Sequence, residues 1–216
     1  MLCTTIKREN FKEIYEVATK YPFVELRLDD VKLTKDEIIE LVKIPNVKKI
    51  VTIRNISKPD DQKLKELIIA AENGCDFVDV EYQYVYAEEF CKATLWQANQ
   101  TILSYHNFEK LPEPTFFKEV ANKAEAASAE YLKIACYCKT KADFLNLLKI
   151  YKNPRLSNFI PGKIIALPIG ERWELHRFAL LQYGAPFLYV CEDDFPAVAP
   201  GQVPYSIARK ALKMED

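Results

Sequence analysis

EYLKIACYC, residues 130–138, reads as a strand with a lysine at its centre. Leu132, Ile134, Cys136 and Cys138 share one parity, and Tyr131, Lys133 and Ala135 share the other. Successive side chains of a strand point to opposite faces, so the first set suits packing against helices and the second faces the other way. A lysine is rarely buried without a partner or a task. The stretch therefore predicts a strand whose second face carries a charged group that chemistry must explain.

The same parity recurs along the chain. FVELRL (23–28) places Val24, Leu26 and Leu28 on the helix side and Glu25 with Arg27 opposite, and KKIVTIR (48–54) does the same with Val51 and Ile53 against Thr52 and Arg54. FVDVE (77–81) sends Val78 and Val80 one way and Asp79 with Glu81 the other, while TILSYH (101–106) separates Leu103 and Tyr105 from Ser104 and His106. LCTTI (2–6), KIIALP (163–168) and PFLYV (186–190) complete eight strand candidates.

Between the strands lie amphipathic patterns. TKDEIIELVK opens on a capping box from Thr34 to Glu37, Thr140 with Asp143 marks the start of ADFLNLLKIY, and QKLKELIIAAENG stops at Asn73-Gly74, a left-handed cap signal. FKEIYEVATK, YAEEFCKATLWQA, FKEVANKAEAA, ERWELHRFALLQYG and YSIARKALK also read as helices. Eight alternations at about 27 residues each predict one (β/α)8 barrel domain over residues 1–216, with an open doubly wound sheet as the alternative. Only five glycines occur, which leaves no Walker loop and no GxGxxG turn for the alternative to use.

Five neighbouring strands thus aim polar groups at one interior, and Arg27, Arg54, Glu81 and His106 fall late in their strands, where barrel enzymes build their sites. A purely structural ion-pair network is the competing explanation. Against it stands the company: Glu81 can orient the His106 ring as an acid/base, beside Lys133 on the next strand. Desolvation among cationic neighbours favours the neutral amine of a lysine, whose lone pair then attacks a carbonyl to form an iminium. His176, Trp96 and Trp173 read as helix-face residues, and Cys136 and Cys138 as core thiols.

The remaining composition narrows the partners. Thirty basic and 31 acidic residues nearly cancel, which argues against nucleic acid or an anionic membrane and for a small-molecule substrate. The start, MLCTTIKREN, has no signal-peptide core, and no segment reaches the length of a membrane span, so the expectation is a cytoplasmic protein with reduced cysteines. Two histidines and no Cys-x-x-Cys pair predict no metal site, and nothing calls for a cofactor.

ELRLD (25–29), TIR (52–54), DVEY (79–82), SYHNF (104–108), YLKIA (131–135), HRFALLQYG (176–184) and APGQ (199–202), in this order, resemble the type I 3-dehydroquinate dehydratases over essentially the whole chain. The resemblance implies a (β/α)8 lyase of the shikimate pathway, independent of cofactors and commonly a homodimer, that dehydrates 3-dehydroquinate through a lysine imine. By position it implies Lys133 as the imine lysine, His106 as the acid/base and Glu81 as the carboxylate orienting it. It implies Arg177 on the substrate carboxylate, Glu25, Arg27 and Arg54 around the ring hydroxyls, and Gln202 on a closing loop. Val198 stands where serine is frequent before APGQ, Asn107 replaces a common aspartate, and NISKPDDQ after Arg54 lacks a glycine pair. The alternatives are an imine-forming aldolase, which would need a phosphate-binding glycine turn where only Gly170 is offered, and a non-catalytic binder of carboxylated polyols.

Overall fold

The structure, a computed structural model, describes residues 1–54, 58–83, 101–153 and 162–214. Eight parallel strands form one curled sheet: β1 (Leu2–Ile6), β2 (Phe23–Arg27), β3 (Lys48–Thr52), β4 (Phe77–Glu81), β5 (Thr101–Asn107), β6 (Tyr131–Tyr137), β7 (Ile164–Ile169) and β8 (Leu188–Cys191). Each pairs with its neighbour in sequence from β1 to β7, and β8 returns to pair with β1. This is the TIM-barrel arrangement predicted from the alternation. Among the described residues no ladder joins β7 to β8. Their C-terminal ends are linked instead by the Gly170 N–H donating to the Pro200 carbonyl and by Arg177, described below.

The connecting helices are α1 (Phe11–Ala18), α2 (Lys35–Val42), α3 (Asp60–Glu72), α4 (Pro114–Ala126), α5 (Lys141–Leu148), α6 (Ala179–Tyr183) and α7 (Tyr205–Ala211). Both predicted capping boxes form: Glu37 N–H donates to Thr34 Oγ1 at 3.2 Å and Thr34 N–H to Glu37 Oε2 at 2.7 Å, with the reciprocal pair between Thr140 and Asp143. Such a cap satisfies amides that the first turn leaves without partners and contributes about 1 kcal/mol. Gly74 takes φ +98° just past the end of α3, the conformation its position called for. The helix expected over YAEEFCKATLWQA, with Cys91 and Trp96, lies outside the described residues.

Two elements depart from their predictions, the first being ADFLNLLKIY, whose end turns 3₁₀ over Lys149–Lys152. ERWELHRFALLQYG is not a single helix but two 3₁₀ turns, Glu171–Trp173 and Leu175–Phe178, followed by the short α6. The segment is pinned to strand ends by side chains: Trp173 Nε1 donates to the Cys138 carbonyl at 2.6 Å, and Arg177 donates to Pro168. Over so few residues an apolar spacing of three to four does not separate 3.0 residues per turn from 3.6. Trp173, expected to need no special role, also stacks on Phe144 at 4.8 Å and so braces this turn against α5.

The parity map holds on the helix side. Val24, Leu26, Val51, Ile53, Val78, Val80, Leu103, Tyr105, Leu132, Ile134, Cys136 and Cys138 are all buried. Full burial of a side chain of this size stabilises the fold by about 1.5–3 kcal/mol. On the inner side, even-numbered strands supply a floor of aromatic rings: Phe23, Phe77, Tyr131 and Phe187, the last just before β8, with centroids 5.0 to 5.7 Å apart across the pairs Phe23–Phe187, Phe77–Tyr131 and Tyr131–Phe187. Barrel interiors are filled in such layers of four from alternate strands.

Candidate active site

Two residues along each even strand, above the aromatic floor, stand Glu25, Asp79, Lys133 and Tyr189. They form one cluster. Lys133, only 4% exposed, donates from Nζ to Asp79 Oδ2 at 2.9 Å and lies 3.5 Å from Glu25 Oε1, with the Tyr189 ring centroid at 4.0 Å. The sequence reading gave this lysine cationic neighbours; the groups in contact with Nζ are carboxylates and an aromatic face. The correction follows from register, because β2, β4 and β6 bring residues 25, 79 and 133 to one level, whereas Arg54 reaches Nζ only through Asp79.

The odd strands then satisfy these carboxylates. Thr5 Oγ1 and Thr52 Oγ1 donate to the two oxygens of Glu25 at 2.9 and 3.1 Å, and Ser104 Oγ donates to Asp79 Oδ1 at 2.5 Å. Arg54 Nη2 pairs with Asp79 at 2.7 Å, and its Nη1 contacts Glu81 and donates to Ser104 at 3.2 Å. Burial acts to raise all three carboxylates. Lys133 and Arg27 outweigh it at Glu25, Arg54 and Lys133 at Asp79, and His106 with Arg54 at Glu81, so each is held below its ordinary range and stays ionised. Arg54 shifts upward, because Asp79 and Glu81 overcome its own desolvation.

His106 sits at the upper end of β5, with Nδ1 2.7 Å from Glu81 Oε2 and its backbone N–H donating to Glu81 Oε1 at 3.0 Å. An ionised carboxylate only accepts, so Nδ1 carries the proton and Nε2 keeps the lone pair. Burial, together with Arg54 Nη1 at 3.0 Å from Nδ1, pushes the imidazole pKa below its usual value against the opposing pull of Glu81. The ring is thus a neutral base at ordinary pH. Phe108, 65% exposed, lies near-parallel to it at 6.2 Å.

Arg177 is buried in the mouth of the barrel on the second 3₁₀ turn. Nε and Nη2 donate to the Pro168 carbonyl at 3.2 and 2.7 Å, and Nη2 also to Pro200 at 2.9 Å. Among the described residues no carboxylate forms an ion pair with it, and burial lowers its pKa to about 10. A buried guanidinium held by carbonyls keeps its charge uncompensated at close range, an arrangement that can receive an anion. Gly201 makes this packing possible: at φ +83°, a Cβ there would meet the Gly170 carbonyl oxygen at 2.5 Å and Arg177 Nη2 at 3.3 Å. Gln202 follows, donating from Nε2 to Thr5 Oγ1 at 2.8 Å and accepting from Ala199 N–H at 3.1 Å. A continuous chain of hydrogen bonds therefore runs from the loop through Gln202, Thr5 and Glu25 toward Lys133.

Of the residues singled out from sequence, Lys133, Glu25, Arg54, Glu81 and His106 come together as one contiguous cluster. Arg27 is set apart, its Nε donating to Asp29 Oδ2 at 2.8 Å, and reaches Glu25 only through its field. Asn107, where aspartate is common, accepts from the Glu109 and Lys110 amides at 3.0 Å and donates to Tyr105 Oη at 3.0 Å, a bond an aspartate would not donate. Asp79, Thr5 and Tyr189 were not assigned a role from sequence. For Asp79 the signal was present, since it shares the parity of Glu81. For Tyr189 it was weak, because PFLYV is apolar on both faces. The cysteines Cys3, Cys75, Cys136, Cys138 and Cys191 are free and buried. Among the described residues no group of His, Cys, Asp and Glu side chains is arranged to hold a metal ion, and no helix is long and apolar enough to cross a membrane.

Comparison with known proteins agrees with this geometry. The chain is 33% identical to a 3-dehydroquinate dehydratase of Methanococcus maripaludis over 99% of both sequences. Its fold superposes on the 3-dehydroquinate dehydratase of Geobacillus kaustophilus with a TM-score of 0.84 at 21% identity, covering 99% of this chain and 90% of that one. The type I enzyme of Clostridium difficile, crystallised with covalently modified comenic acid, matches with a TM-score of 0.83 at 20% identity over the same shares. The type I 3-dehydroquinase family model matches residues 2–216, and with a buried lysine beside a carboxylate-oriented histidine inside an eight-stranded barrel, the chain belongs to the type I 3-dehydroquinase family.

Proposed function

We propose that the 216 residues form one catalytic domain that converts 3-dehydroquinate to 3-dehydroshikimate through an imine on Lys133. The observation that carries this reading is the placement of Nζ in the same buried polar cluster as the His106–Glu81 pair, on adjacent strands. The Lys133 nitrogen bonds to the carbonyl carbon, and the carbonyl oxygen takes two protons and leaves as water. The nitrogen keeps one proton and a positive charge, which Asp79 faces. Nε2 of His106 then removes a proton from the methylene beside the C=N carbon, and the electron pair moves to nitrogen as an enamine. The enamine returns that pair to expel the hydroxyl one carbon further on, which His106 protonates as it leaves, and water releases the product.

Arg177 suits the substrate carboxylate, with Glu25, Arg54 and Gln202 around the ring and Arg27 shaping the charge of the mouth. An aldolase of phosphorylated sugars is a poorer fit, because the Gly170 N–H already donates to Pro200 and the turn after β7 offers no glycine-rich cradle. The reading extends to a homodimer, which rests on the family resemblance, and to the cytoplasm, which rests on the sequence reading above. Light scattering on the purified protein tests the dimer.

The decisive experiment is borohydride reduction in the presence of 3-dehydroquinate, followed by peptide mass analysis. The expected result is a covalent adduct on Lys133 together with formation of the conjugated enone followed by ultraviolet absorbance. Enone formation with Lys133 unmodified under reduction would overturn the imine.

A further inference from the structure

We infer that Tyr189 is a catalytic residue whose ring face holds the positive charge on the Lys133 nitrogen while the imine forms. The inference deepens the reading above and rests on Lys133 being the imine-forming residue. The ring centroid lies 4.0 Å from Nζ, within the range of a cation–π contact, and both side chains are buried. β8 places Tyr189 level with Cys3 on β1, and its ring is fixed edge-on by Phe187 at 5.3 Å. The phenol oxygen is buried and has no hydrogen-bond partner among the described residues, so packing of the ring, not bonding of the hydroxyl, sets its position.

The chemistry gives this face a task that hydrogen bonds to the carboxylates fill only in part. An ammonium has three N–H donors and satisfies Asp79 and Glu25 together. When the nitrogen joins the substrate carbon, two protons depart with the carbonyl oxygen as water and one N–H remains. The charge on nitrogen is the same, but hydrogen bonds to it fall to one. A ring face acts on charge and needs no N–H, so it persists through that loss. Unlike a carboxylate, it also takes no proton from the nitrogen.

The test replaces Tyr189 with phenylalanine and with phenylalanines carrying one, two and three ring fluorines, which drain the ring face of negative charge with little change in shape. For each protein the rate of borohydride trapping by 3-dehydroquinate is measured where it no longer rises with pH, with the urea midpoint recorded as a check on folding. Weakening the face withdraws support from the positive charge that develops on nitrogen as the imine forms. The expected result is that this rate falls stepwise with fluorine number, by about tenfold in all, with Tyr189→Phe, which keeps the ring face, lying closer to the parent than any fluorinated form. An unchanged rate across the series overturns the inference, as does a Tyr189→Phe protein slowed as far as the trifluoro form, since the hydroxyl would then be the active part. Absence of trapping in the parent protein is the separate result that removes the imine reading itself.

Discussion

The floor and the upper interior of this barrel are built on the same strands with the same parity, yet they have opposite chemistry. Phe23, Phe77, Tyr131 and Phe187 pack as rings, with one ammonium, Lys48, over the faces of Phe23 and Phe77 at 5.4 and 4.8 Å, whereas two residues further along stand Glu25, Asp79, Lys133 and Tyr189. Backbone geometry cannot be the cause, since three of the pairs share a strand and Phe187 directly precedes the strand of Tyr189. The difference teaches that the lower half supplies apolar burial that stabilises the curled sheet, and that this offsets the cost of collecting desolvated charges above it. Active-site charge and barrel stability are thus segregated along one axis.

The division can be broken deliberately. His106→Ala should lower turnover by about 10²- to 10⁴-fold while borohydride still labels Lys133, because the base is lost and the amine is not. Steady-state kinetics and mass analysis check this; full turnover would remove His106 from the mechanism. Phe187→Ala should do the reverse, costing about 3–5 kcal/mol in urea unfolding with kcat close to that of the parent where the protein remains folded. A loss of kcat with unchanged stability there would erase the distinction between the two halves.

Acidity sharpens the comparison. The carboxylates of Glu25, Asp79 and Glu81 are held below their ordinary pKa, so the stability they contribute is fully present above the unfolded value of about 4 and is lost as pH falls through the lower folded values. Unfolding followed from pH 7 to pH 2 should show the loss beginning below about pH 4, and Asp79→Asn should flatten that slope. The His106 shift has its own signature: because its neutral form is favoured, the acid limb of kcat/KM should lie below about pH 6.5. The smallest effect concerns the loop. Thr5→Val interrupts the path from Gln202 to Glu25 and should raise KM about fivefold with little change in kcat, the size expected for a hydrogen bond of about 1 kcal/mol. Thr5→Ser should restore it.

Much of this was legible because a strand has a period of two. Wherever one parity is apolar and the other polar, as at Glu25, Thr52, Arg54, Glu81, His106 and Lys133, residue order alone indicated the interior. Where both parities are apolar, as in β8, Tyr189 could not be separated from its neighbours. Arg177 and Gln202 lie beyond strand ends, so no periodicity places them and only the family resemblance pointed to them. Burial of a lysine also proved a weaker signal than it first suggests. Lys63 on α3 is only 2% exposed and pairs with Asp60 at 2.9 Å, and Lys49 donates to the Ile44 carbonyl at 2.9 Å, both away from the interior cluster. What distinguishes Lys133 is its neighbours, which sequence supplies only once the strands are set in register.

The gap between β7 and β8 carries a last consequence. Among the described residues no ladder of amides locks the cylinder there, and beside the single Gly170–Pro200 bond the Arg177 guanidinium spans the carbonyls of Pro168 and Pro200. On the proposed reading, that same group grips the incoming acid. Ligand occupancy and mechanical closure then become a single event, so a saturated enzyme should resist heat and proteolysis more than an empty one, with the added toughness centred on this join.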